Sequence, residues 1–159
     1  MESLRPILQA HPFFEGMKPE HLDILVGCTS NAQFGKDKFI FRAGEQADHF
    51  YLIRHGHVEL DLAQPGQEPI TILSLGDGEV LGWSWMVPPY KWKFDARATE
   101  RTRALRLNGR CLREKWQKDH ELGFDLLRRF ADISGQRLEA ANRALIGLRE
   151  TQVNQEYQE

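Results

Sequence analysis

Between residues 32 and 107, short runs of β-branched and aromatic residues are cut by Gly and Asp turns. The breaks recur roughly every 8–12 positions, the rhythm of an all-β sandwich or barrel. Lys38-Phe39-Ile40-Phe41 is one run and Gly44 ends it. His49 to Ile53 is the next, and Gly56 turns the chain into Val58-Glu59-Leu60-Asp61-Leu62. That segment alternates apolar and charged residues, as a half-buried strand does. Gln64-Pro65-Gly66-Gln67 reads as a turn, Pro69 to Leu75 as a strand, and Gly76-Asp77-Gly78 as a tight turn. Ala96 to Thr99 and Arg103 to Leu107 complete the set.

Helical patterns flank this middle. In residues 1–30, Pro19-Glu20 suits a first helical turn, and Leu22, Leu25 and Val26 follow at helical spacing. His11 to Met17 reads as a turn carrying apolar anchors. Residues 109–150 are helical again. Leu127, Ala131, Ser134, Leu138, Ala141, Leu145 and Leu148 fall at spacings of 4,3,4,3,4,3. This is an a/d seam, the pattern of a helix packed along another helix. From Gly123 to Glu150 it predicts a helix of about 42 Å. Gly135 and Gly147 each weaken it by roughly 1 kcal/mol. Fraying is expected beyond Gly147, with a disordered tail over 151–159. The expected organisation is one domain over 1–150.

Composition excludes several classes. With 159 residues, 41% of them hydrophobic and 28% charged, the chain is a globular domain rather than a disordered or fibrous one. The net charge of -2 gives no global pull toward nucleic acid or membrane. No apolar run approaches the roughly 20 residues of a membrane span. Met1 to Ala10 lacks a signal-peptide core. Cys28 and Cys111, 83 positions apart, suggest no disulfide framework, so a reducing cytoplasm is expected.

The segment Gly44-Glu45-Gln46-Ala47-Asp48-His49-Phe50-Tyr51-Leu52-Ile53-Arg54-His55-Gly56-His57-Val58-Glu59-Leu60 resembles the cyclic-nucleotide-binding domain family. So do Leu73 to Gly82 and Arg97-Ala98-Thr99-Glu100-Arg101-Thr102. Motif order and spacing agree from about His11 to about Leu148. The resemblance implies a mainly β fold with flanking helices. The fold in question is a jelly-roll-like β-roll (a double-stranded β-helix) with an N-terminal helix and a long C-terminal dimerisation helix. It implies a homodimer and a cyclic nucleotide or other small-molecule effector, with no other cofactor. Relatives that regulate transcription carry a helix-turn-helix after the long helix. Here the sequence stops at Glu159, so sequence-specific DNA binding by this chain alone is not expected.

In the family, a short helix begins near the position of Gly82 and points its N–H groups at the cyclic phosphate. A Glu follows that glycine, and an Arg about ten residues on neutralises the phosphate with a charged fork. This sequence departs at both places. Trp83 follows Gly82, and the Arg position falls on Trp92 or Lys93. Losing such an Arg contact costs a few kcal/mol, on the order of a hundredfold in affinity. Weak or lost cyclic AMP binding is therefore expected.

Three of the four tryptophans, Trp83, Trp85 and Trp92, lie within ten positions, beside Ser84, Tyr90, Lys93 and Phe94. Two readings follow. The rings form a cage for a flat or hydrophobic ligand, or they plug the nucleotide pocket as packing. A cage leaves a cavity and a plug does not. Candidate ligand-binding residues are thus Gly82, Trp83, Ser84, Trp85, Trp92, Lys93 and Phe94. Asn142 joins them, falling where the family reaches the base; it reads equally as a solvated or interhelical Asn. Arg97 reads as structural.

His55-Gly56-His57 resembles the start of a cupin metal site, but Glu59 is too near and His120 lies in the helical part. A hairpin turn with flanking histidines explains it better. No nucleophile or Walker motif is present, and no enzyme is expected. Arg101, Arg103, Arg106, Arg110, Arg113, Lys115 and Lys118 form a local basic excess. It reads as a solvated face or as a surface for an acidic partner. The function expected is a regulatory sensor domain signalling through a dimer helix. The alternative is a protein–protein interaction module with a plugged pocket.

Overall fold

The computed structural model describes residues 3–158. Two short helices, α1 (Arg5–Ala10) and α2 (Pro19–Val26), flank a 3-10 turn at Pro12–Phe14. Pro19 opens α2 where its missing N–H is no loss. Leu8, Phe13, Phe14, Leu22 and Leu25 are all buried.

Eight strands follow: β1 (Thr29–Phe34), β2 (Phe39–Phe41), β3 (His49–His55), β4 (Val58–Gln64), β5 (Gln67–Leu75), β6 (Val80–Leu81), β7 (Asp95–Ala98) and β8 (Thr102–Asn108). They form two four-stranded sheets, ordered β1-β8-β3-β6 and β2-β7-β4-β5. Every pairing is antiparallel. Cross-strand pairs Phe50↔Leu107 and Leu52↔Leu105 put four fully buried side chains in the first sheet. Val58, paired with Leu75 and Ala98, does the same in the second. Gly56 has φ 133° and lies against Thr102: an added Cβ would sit 2.4 Å from the threonine Oγ1. Only glycine closes that turn.

Helix α3 (Gly109–Lys118) is capped by Asn108, whose Oδ1 accepts from the Cys111 N–H at 3.0 Å. Helix α4 (His120–Glu156) has 37 residues, about 55 Å at 1.5 Å per residue. Its start is fastened to the body preceding it. Asp119 Oδ1 accepts from the Leu122 N–H at 3.1 Å, and Lys18 pairs with Glu121.

The strands and turns read from the sequence are present, with three corrections. First, β1 begins at Thr29, inside the stretch read as helical, because its polar TSNAQF run is held by pairing with β8. Second, the tail expected to be disordered from Thr151 is helical to Glu156, with no break at Gly147. Helix-forming Glu, Gln, Leu and Arg surround that glycine, and Thr151 Oγ1 donates to the Gly147 carbonyl at 3.0 Å. The described residues divide between Gly123 and Phe124 into two compact units. Third, Cys28 and Cys111 are joined as a disulfide, with Cα atoms 5.8 Å apart. Antiparallel pairing of β1 with β8 brings the start of one beside the end of the other, and the Asn108 N–H donates to the Cys28 carbonyl at 2.8 Å. The expectation of a reducing compartment rested on unpaired cysteines and loses that support. Among the described residues, no helix is long and apolar enough to cross a membrane.

Candidate functional site

Strand β6 leads into the segment 82–94. It pairs with β3 through Tyr51↔Leu81 and Leu52↔Val80. Gly82 then turns with φ 99°, and an added Cβ would lie 2.6 Å from Trp92 Cη2. The edge of the Trp92 indole therefore rests directly on Gly82. Glycine is needed there for both the backbone angle and the close approach.

Trp92 is nearly buried, at 6% exposure. Its ring stacks flat on Phe41, with centroids 3.7 Å apart and planes 7° apart. Its backbone is paired on both sides: the Trp92 N–H donates to the Glu45 carbonyl at 3.0 Å, and its carbonyl accepts from the Gly44 N–H at 2.8 Å. Gln46 and Lys91 form an isolated bridge beside it. Extended backbone alternates its side chains, so Trp92 is buried while Lys91 and Lys93 on either side are exposed. Phe94 is half-buried.

The other two indoles of the segment part ways. Trp85 is fully buried, stacked on Phe50 at 5.0 Å and on Trp116 at 5.4 Å. Gly109 permits that: a Cβ there would meet the Trp85 ring at 3.1 Å. Arg113 donates to the Trp85 carbonyl at 2.5 Å and places its guanidinium 4.4 Å over the Tyr90 ring. Trp83 is 42% exposed and Val87 48%. The expected cassette helix is a single 3-10 turn, Ser84–Met86, with Ser84 buried at its start.

On β3, burial holds His49 below its ordinary value, and Arg106 adds to that. Burial pushes the Tyr51 phenol up. Held below its ordinary value, the His49 imidazole offers a phosphate no positive charge at neutral pH. Arg97 is spent on Glu59 at 3.0 Å and Asp61 at 3.4 Å, in keeping with a structural role.

Of the predicted site residues, the structure gathers Gly82 and Trp92 at one point and sends Trp85 into the aromatic stack with Phe50 and Trp116. Asn142 is exposed on α4, among Leu127, Ala131, Ser134, Leu138, Ala141, Leu145 and Leu148, all exposed. Leu138 and Leu148 reach 64% and 66%. His55 and His57 turn to different partners, Asp77 at 3.5 Å and Thr99 at 2.5 Å. The basic stretch is dispersed: Arg101 on Gln33, Arg106 on Ser30, Arg110 on Asp48 and Arg113 on Trp85. Sequence reasoning missed Phe41, Trp116 and Arg113 as partners of the indoles. Each lies far along the chain from the indole it touches, and no local pattern announces the contact.

A model of the cyclic nucleotide-binding domain matches residues 32–119. The cyclic AMP receptor protein of Thermus thermophilus is 28% identical over 100 residues, which span 63% of this chain and 46% of that relative. The chain thus covers under half the length of that relative. Among solved structures, a Geobacter metallireducens protein described as cyclic nucleotide-binding matches with a TM-score of 0.77 and 29% identity, over 87% of this chain and 99% of that one. The Thermus thermophilus catabolite activator protein matches with a TM-score of 0.68 and 26% identity, over 86% of this chain and 62% of that one.

Proposed function

Because the chain belongs to the cyclic nucleotide-binding domain family, we propose that it is a regulatory domain, not a catalytic one. It works as a homodimer through α4, and its β-roll takes cyclic AMP and cyclic GMP weakly or not at all. One observation carries the second half: the Trp92 indole, at one of the two positions that match the family's arginine, lies on Gly82. An anion entering there finds an apolar ring in place of a charged fork and loses on the order of a hundredfold in affinity. Lys91 and Lys93 are exposed and reach the seat only as hydrated point charges.

The dimer rests on the leucine seam. From Leu127 to Leu148 it runs about 32 Å, and its leucines are half to two-thirds exposed. A seam of this length and spacing is what a second identical helix covers. A second reading, a protein-interaction module, is favoured by one feature. Trp83 and Val87 present apolar surface at the same turn that hides Trp85.

Equilibrium dialysis with labelled cyclic AMP tests the reading. Less than a tenth of the sites filled at about 0.1 mM ligand is expected; half-filling in the micromolar range would overturn it. If nucleotide fails and tagged protein partners depend on Trp83, the interaction module takes its place.

A further inference from the structure

We propose that the Cys28–Cys111 bridge is a redox-active site that exchanges with protein dithiols, and that opening it loosens α3 and the Trp85–Trp116 stack that α3 supports.

The bridge is unusual in what it does not hold. β1 and β8 are already zipped from Thr29↔Leu107 to Phe34↔Thr102, and Asn108 already bonds the Cys28 carbonyl. A chain of this length, with a large buried apolar core, does not need a staple to fold. The roll should therefore survive opening, which a reversible site requires.

α3 is placed to feel the change. Cys111 stands in its first turn, next to the Asn108 cap. Gly109, one residue past the cap, donates to the Asp48 carbonyl at 2.7 Å and lies against Trp85. Trp116, two turns on, stacks on Trp85. Gly123, in the first turn of α4, lies against Trp116, where an added Cβ would sit 2.9 Å from the tryptophan Cβ. A continuous set of contacts thus runs from the bridge to the Trp85 and Trp116 indoles and to the start of α4.

Access is asymmetric. Cys28 is 6% exposed, whereas Cys111 is only half-buried. The incoming dithiol thiolate attacks Cys111 Sγ; the new S–S bond forms as the Cys28–Cys111 bond breaks, and Cys28 leaves as a thiolate that takes a proton. The second thiol of the reductant then attacks its own sulfur in the mixed disulfide and expels Cys111. Two electrons pass to the protein, two cysteine thiols result, and the dithiol becomes a disulfide. The Cys111 thiolate is released in the first turn of α3, where the positive end of the helix dipole favours negative charge.

The test follows alkylation of both cysteines by a maleimide while the air-purified full chain is treated with reduced thioredoxin. A rate in native buffer within about tenfold of that in urea is expected, since an accessible bridge does not wait for unfolding. Far-UV circular dichroism should be unchanged and tryptophan emission should shift. A double variant, Cys28→Ser with Cys111→Ser, should fold alike and lack the shift. A native rate about a thousandfold or more below that in urea would overturn the proposal, because exchange would then require global opening. Loss of structure on reduction, unchanged emission, or two free thiols in the air-purified protein would overturn it equally.

Discussion

Glycine occurs at 82 and at 135 for opposite reasons. At 82 it is squeezed: φ is 99° and the Trp92 ring leaves no room for a Cβ. At 135, on α4, an added Cβ meets nothing within 4 Å. The roll is a region where each residue is chosen by a distant neighbour. The exposed helix is one where each is chosen by its own periodicity. The comparison explains why the roll's site resisted local reading while the helix seam did not. It also locates the chemistry: the indole seat is already filled, and the seam is still open.

The strongest way to break the contrast is in the roll. Trp85→Ala removes a fully buried ring stacked on two others and should cost about 3–5 kcal/mol in urea unfolding. A loss under about 1 kcal/mol would mean that the stack is not part of the core. On the helix, Leu138→Glu puts a charge into the seam. Light scattering should show half the wild-type mass with unchanged far-UV signal; an unchanged mass removes the dimer.

Paired substitutions sharpen the comparison further. Gly82→Ala should destabilise by roughly 2–3 kcal/mol, from backbone strain and the clash with Trp92. Gly135→Ala should stabilise by about 0.5–1 kcal/mol, since alanine is the better helix former in open space. Two changes of the same sign would contradict the contrast.

The smallest effect concerns His11. Its Nε2 donates to the Ile53 carbonyl at 3.2 Å and its Nδ1 accepts from the Phe13 N–H at 3.2 Å, so the network assigns one neutral tautomer. Burial holds it below its ordinary value of 6.5, partly offset by the Ile53 bond. The unfolded chain therefore binds that proton more readily. The contribution to stability is full above 6.5 and is lost as pH falls through the lower folded value. The melting temperature should drop as pH falls below 6.5, and His11→Gln should flatten that drop. Equal slopes would assign the acid sensitivity elsewhere.

What the sequence disclosed follows the same division. The strands with alternating or aromatic runs, the Gly turns, the start of α2 at Pro19 and the long C-terminal helix are local signals, and all were legible. β1 was not, because TSNAQF has no apolar alternation and becomes a strand only against β8. β6 is two residues long and has no pattern of its own. The disulfide joins residues 83 apart, and the topology alone brings them together. At the site, the loss of the family's Glu and Arg was visible as Trp83 and as Trp92 or Lys93. That one indole is exposed and the other stacked on Phe41 was not visible, since the partner sits on β2, about fifty residues upstream.

The central claim is that the Trp92 indole occupies the phosphate seat. Side-by-side calorimetric titration of the wild-type protein and Trp92→Arg with cyclic AMP tests it most directly. The wild type should give no binding heat up to about 1 mM, and the variant should bind at least about tenfold more tightly than the wild type. Micromolar binding by the wild type, with affinity lost in the variant, would contradict it: the indole would then be part of a nucleotide site rather than its plug.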